Sequence, residues 1–308
     1  MRAEPRISTP LLAIALCLVW STAFVFVKLG LQDASAPVLA ALRVLAAVPL
    51  LFAALWLRDR RGLVDALCTG RVHRVGLLLG VVNVAAFLGL QTAGFSLAGI
   101  GFGAVLIYAQ PLIVAALARV VLGERLRLRQ VVGLLVGWVG VGLAVLGEVA
   151  GDTAGKQVGR AAVLFIGTAV CFAVGTIVVK AVTTGPRSVP LPPTLLLAFL
   201  YGAVPLVVLA LIDDGPVRWT RSLAVSVAYT GGMSLAGGYL MQFALLARGD
   251  AGVVSSYIFA VPILTAVYGV VIFGEQLSPG LVLGGAAVVA GILLVTVPPR
   301  SPVPDPVG

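Results

Sequence analysis

Charge is scarce in this sequence: 11% of its 308 residues are Asp, Glu, Lys or Arg, against 60% hydrophobic, and the mean hydropathy is +1.12. So little polar material cannot cover a water-soluble globule of this size, which places the chain in a lipid bilayer. Acid is the scarcer sign, with 12 Asp and Glu against 21 Lys and Arg, and no carboxylate falls deep inside a long apolar run. The one histidine, His73, sits in an Arg-rich loop. The three cysteines, Cys17, Cys68 and Cys171, are odd in number and scattered, which excludes a disulfide framework or a metal site and leaves small buried hydrophobes. An intramembrane enzyme needs a nucleophile and base, or metal ligands, at depth, and none is present. Neither cofactor nor metal is expected.

What is abundant is long apolar runs. Ten of them, near residues 10–30, 37–57, 74–94, 98–122, 130–149, 159–182, 191–212, 222–246, 251–273 and 278–297, approach the ~20 residues a spanning helix needs. Barrel strands would alternate over about 10 residues instead. The net charge of +9 follows membrane topology rather than nucleic acid. With the N-terminus in the cytoplasm, 13 arginines from Arg2 to Arg300 lie inside, and only Lys156, Arg160, Arg218 and Arg221 outside. Both termini are therefore expected inside, which requires an even number of spans. Ala34-Ser35-Ala36 resembles a cleavage site, but the preceding run is too long for a signal peptide and Pro37 follows at once, so the first helix is expected to stay.

Two stretches 151 residues apart read alike. Gln91, Pro111, Gly123-Glu124-Arg125-Leu126, Gly133 and Gly140 return as Gln242, Pro262, Gly274-Glu275-Gln276-Leu277, Gly284 and Gly291. Spans 1 and 6 align from Trp20 to Lys28 and from Phe172 to Lys180, and spans 2 and 7 share Pro37/Pro49 and Pro193/Pro205. Residues 1–149 and 159–297 are thus read as two five-helix repeats, joined by a linker at 150–158 and followed by a Pro-rich disordered tail at 298–308. Five is odd, so the second repeat enters the membrane upside down, giving an all-α fold of ten transmembrane helices in two inverted repeats.

On these residues the chain resembles a ten-helix transporter of the EamA type in the drug/metabolite transporter superfamily: Trp20 and Lys28 in the first helix, Pro37 then Arg43 in the second, Pro111 then Gly123 to Leu126 around the fourth. The second half departs from the pattern, with Phe172 for Trp, Phe199 aligned with Arg43, and Gln276 for Arg. The resemblance implies a bacterial inner-membrane secondary transporter that exports small metabolites such as amino acids by alternating access. Its partners would be a small-molecule solute and the lipid bilayer, with no nucleic acid. The chain would act as a monomer or weak homodimer. A non-transporting scaffold or receptor is the alternative, although the longest loop, Arg58 to Arg74, offers a partner little surface.

Pro111 and Pro262 fall mid-span, where proline removes a backbone hydrogen bond; they read as hinged kinks on a substrate path, or as static kinks satisfied by neighbours. Asn83 and Gln91 lie about 80° apart on span 3, and Ser234 and Gln242 repeat them on span 8. Such a stripe faces a common hydrated cavity or glues helices together. Tyr108 and Gln110 precede one kink, Ser256 and Tyr257 the other, and Trp20 and Thr176 lie at mid-depth. Tyr239 joins this substrate-binding set, with Tyr229 as a further candidate. Lys28, Arg43 and Lys180 are the charge or gating candidates. Lys28 and Lys180 are expected to snorkel to opposite surfaces, and Arg43 either counters a substrate carboxylate or bonds neighbouring helix ends. Glu124 and Glu275 read as interfacial caps that pair with Arg125 or Arg127. Gly133-x-x-x-Gly137 and Gly280-x-x-x-Gly284 let the fifth helix of each half approach its twin, or a second subunit. Without an intramembrane carboxylate, gradient-driven flux is expected rather than Glu-based proton exchange.

Overall fold

The computed structural model describes residues 8–121, 127–149, 152–183, 188–246 and 260–296, and among them every regular element is helical. Eight helices are long and apolar enough to cross a membrane: Thr9–Gly30, Ala36–Arg58, Gly70–Leu97, Ile100–Val121, Leu128–Glu148, Lys156–Val182, Leu191–Leu211 and Pro279–Thr296. They match spans 1 to 7 and 10. Span 9 is represented by the shorter apolar helix Ala260–Phe273, and the region of span 8 is a continuous helical stretch made of Arg221–Val227, Ala228–Gly237 and Gly238–Leu246. Helices 1, 2 and 7 each open with a proline in the first two positions, where the missing N–H costs nothing. Outward-facing positions such as Leu57, Leu135, Leu146 and Val204 are exposed aliphatics, the surface that lipid requires.

Several of the main helix pairings recur when the halves are exchanged. Helix 1 packs on the eighth and ninth stretches as helix 6 packs on the third and fourth; helix 2 meets the eighth as helix 7 meets the third. Helices 2 and 7, 4 and 9, and 5 and 10 meet their own twins. The 5–10 contact is a glycine seam. A Cβ on Gly140 would stand 2.6 Å from the Gly284 carbonyl, one on Gly291 2.5 Å from that of Gly133, and one on Gly280 2.6 Å from the Gly147 Cα. As residue numbers rise along one helix they fall along the other, so the twins run antiparallel, and the seam lies within one chain.

Two features were absent from the sequence reading. Gly80–Ala86 and Ala228–Gly237 are π-helical, and the second contains the stretch that matches the first at the 151-residue offset. The loop from Arg58 to Arg74 is largely helical, holding Arg60–Leu67 and the start of Gly70–Leu79, with Asp59 capping the Gly62 N–H and Arg60 stacked over Trp56 at 4.4 Å. His73 is fixed there between the Tyr201 hydroxyl and the Leu67 carbonyl, both at 2.6 Å. The helix Asp152–Thr183 begins inside residues 150–158.

Candidate functional site

Between the halves lies a cavity of about 70 Å³. The first half contributes Trp20, Phe24, Arg43, Phe87, Gln91, Tyr108 and Gln110, and the second Phe172, Ser234, Leu235 and Tyr239. Seven of the residues singled out from sequence therefore meet here: Trp20, Arg43, Gln91, Tyr108, Gln110, Ser234 and Tyr239.

Helix 4 brings Tyr108 and Gln110 to this wall because it breaks there. Ile100–Ile107 ends, and Gln110–Val121 begins anew. Pro111 has no N–H to return to the carbonyl of Ile107, itself a cavity residue. Gln110 is buried, and its Oε1 has no partner among the described residues. Arg43 is 2% exposed and lies on helix 2 opposite helix 3; its Nη1 donates to Thr92 Oγ1 at 3.0 Å and its Nη2 to Gln91 Oε1 at 3.3 Å, while its Nε is buried without a partner among the described residues. The Trp20 indole lies against Gly238, where a Cβ would come within 2.6 Å of Nε1.

On the Lys28 side the cavity is closed by packed rings. Phe24 and Phe95 lie 5.1 Å apart between centroids, Phe95 and Phe165 5.0 Å, and Phe102 and Phe165 6.1 Å, with Tyr108 edge-on to Phe24. Behind them Lys28 Nζ donates to the carbonyls of Phe95 and Ala98 at 3.0 and 2.9 Å. The expectation that Lys28 snorkels is thereby corrected: it caps the carbonyl end of helix 3, where a cation meets the negative pole of the helix dipole. Glu275 occupies the complementary place. Gly274, at φ 65°, ends helix 9 by sending its N–H to the Val270 carbonyl, and the chain turns so that the Glu275 carboxylate accepts from the N–H groups of Ile100 and Gly101 at 2.7 and 3.1 Å. Glu275 is thus a cap, as expected, but for a helix of the other half and not as an arginine's partner. Glu124 and Arg125 lie outside the described residues.

Other candidates stand away from the cavity. Asn83 is turned to Gly175 on helix 6, and its Oδ1 finds no partner among the described residues. Gln91 lines the cavity and meets Arg43 while Asn83, eight residues earlier, does not, so the two do not form the common cavity-facing stripe expected of span 3. Gln242 is half-buried outside the cavity lining, Thr176 returns its hydroxyl to the Phe172 carbonyl, and Lys180 is exposed. Tyr229 binds Thr22 and stacks on Phe26. Pro262 is buried at the described start of helix 9 and lines, with Pro111, a separate apolar cleft between helices 4, 9 and 10. Ser256 and Tyr257 lie outside the described residues.

Sequence reading missed Phe24, Phe87, Phe172 and Thr92. Phe172 carried a usable signal, since it is the twin of Trp20. Thr92 carried none, because its role comes from Arg43 reaching it from another helix.

A family model described as the EamA-like transporter family matches the chain twice, over residues 7–146 and 159–297. The "Uncharacterized transporter YvbV" of Bacillus subtilis (strain 168) is 26% identical over 305 residues, covering 96% of this chain and 93% of that protein. An "Uncharacterized transporter" of Archaeoglobus fulgidus is 27% identical over 293 residues, 94% of this chain and 97% of that one. A crystal structure superposes with a TM-score of 0.64 at 21% identity, over 94% of this chain and 96% of that chain, a likeness of fold.

Proposed function

The chain belongs to the EamA-like transporter family, and from that premise we propose that it is a bacterial inner-membrane secondary transporter exporting small metabolites such as amino acids by alternating access. The observation that carries this reading is a cavity walled by both halves, with aromatic faces, amides and one guanidinium. Such a lining suits a small solute with an apolar body and a few polar groups. The ring cluster of Phe24, Phe95 and Phe165 is not repeated in sequence in the other half, where the matching positions are Thr176, Leu246 and Ala13.

We read the architecture as ten spans in two inverted repeats, residues 1–149 and 159–297, with both termini cytoplasmic. The antiparallel 5–10 seam and the helix pairings that recur between the halves support it. Fusing reporters to each terminus tests the topology, and termini on opposite faces overturn it. Among the described residues no Asp or Glu lines the cavity, in keeping with gradient-driven flux.

Transport itself is tested in cells challenged with growth-inhibitory amino acids and analogues. Overexpression is expected to raise tolerance, and Arg43→Ala to abolish the gain while still reaching the membrane. Unchanged tolerance and unchanged retention of every solute refute export.

A further inference from the structure

We propose that the cavity selects a monovalent organic anion, an apolar or aromatic body bearing one carboxylate, and that Arg43 supplies its counter-charge. The inference rests on the proposed carrier function and narrows its solute class, favouring monoanions over zwitterionic amino acids. Arg43 is a buried guanidinium on the cavity wall whose two hydrogen-bonded partners, Thr92 and Gln91, are both neutral. Among the described residues it has no ion pair: the one salt bridge is Arg218–Asp33, and the described acids sit at helix ends or in loops. Holding a permanent cation out of water on neutral partners alone is unfavourable, and arginine does not relieve the cost by losing its proton.

Two of its five donors are engaged, and the Nε–H is buried and unused. A carboxylate takes Nε–H together with an Nη–H in the forked geometry that guanidinium favours. On the same wall the unpartnered Oε1 of Gln110 awaits a donor, which a neutral hydroxyl or N–H of the solute supplies. Trp20, Phe24, Phe87, Phe172, Tyr108 and Tyr239 provide faces for the apolar body. Among the described residues an ammonium group finds no carboxylate in this lining, so a zwitterion leaves its positive end unmatched and a cation meets Arg43 as a like charge.

The charge of the solute has an energetic consequence. A monoanion leaving an inside-negative compartment moves with the electrical force, and about 60 mV is equivalent to a tenfold distribution ratio. Export of such a solute needs no coupling proton, which accounts for a transport cavity whose described lining lacks a carboxylate.

The test uses the full chain in phosphatidylcholine vesicles with a valinomycin-clamped potassium gradient of about 60 mV, inside negative. Phenyllactate, phenylalanine and phenethylamine share a ring and differ in charge. Protein-dependent efflux of phenyllactate is expected to settle near a tenfold outside excess. Phenylalanine is expected to move at least tenfold more slowly and to ignore the potential. Arg43→Gln is expected to lose the anion preference and Arg43→Lys to keep part of it, each variant checked for monodispersity. Equal handling of phenyllactate and phenylalanine, indifference of phenyllactate to the potential, or its preference surviving in Arg43→Gln overturns the proposal. The wild-type charge series decides the matter whether or not Arg43→Gln folds. Equilibrium binding to the purified chain separates the two readings: phenyllactate bound at least tenfold more tightly than phenylalanine, with no flux of any solute, sinks the carrier and keeps the anion site. No binding of phenyllactate sinks the site.

Discussion

Arg43 and Phe199 occupy matching places in the two halves and do opposite things. Arg43 turns to Gln91 and Thr92 and keeps a buried Nε–H without a partner among the described residues, whereas Phe199 is 1% exposed and packs edge-on against Tyr239 at 5.4 Å. Trp20 and Phe172 show the same divergence in size. The larger ring lies on Gly238, and the smaller meets Phe87, the residue 151 positions before that glycine, at 5.8 Å. The duplicated frame keeps its symmetry where backbone meets backbone and loses it where side chains face the cavity. A carrier made of twins needs only one of them to hold the charge.

Making the halves alike at the charged position should do the most damage. Phe199→Arg buries a guanidinium with no counter-charge and is expected to cost about 3–5 kcal/mol, read as loss of monodisperse protein and a lowered unfolding midpoint in detergent. Next comes the seam, where symmetry predicts equal injury. Gly140→Leu and Gly291→Leu each drive a side chain into backbone and should each lose about 3 kcal/mol or more, while Gly142→Leu, with nothing within 4 Å, should leave thermal stability nearly unchanged. Unequal losses from the first two would break the comparison. Smaller is the ring exchange: Gly238→Phe should cost about 1–3 kcal/mol by crowding Trp20, and adding Trp20→Phe should recover most of it, measured as a double-mutant cycle. Glu275→Gln, which keeps the shape but removes the charge from the start of helix 4, should cost only about 0.3–1 kcal/mol.

Hydropathy made the lipid-buried helices legible, because lipid leaves the backbone few alternatives, and the 151-residue echo announced which helices would be twins. The cavity was legible where polarity was rare: Arg43, Gln91, Gln110 and Ser234 stood out as polar groups in apolar runs. Local spacing misled at Asn83, since which helix its side chain meets, Gly175 of helix 6, is set by packing between the halves and not by its spacing from Gln91. Glu275 was read against neighbours in sequence, but its partners are main-chain groups 174 and 175 residues away. Contacts of that kind belong to the assembled bundle and to no single segment.

The meeting of Leu128–Val149 with Pro279–Thr296 carries one more implication. Peptide groups pressed together without intervening side chains have no rotamers to slacken and no room to slip by less than a whole interlocking step. Under the proposed alternating access, this pair is the natural axle, and distortion would gather instead at the broken fourth helix and the two widened turns.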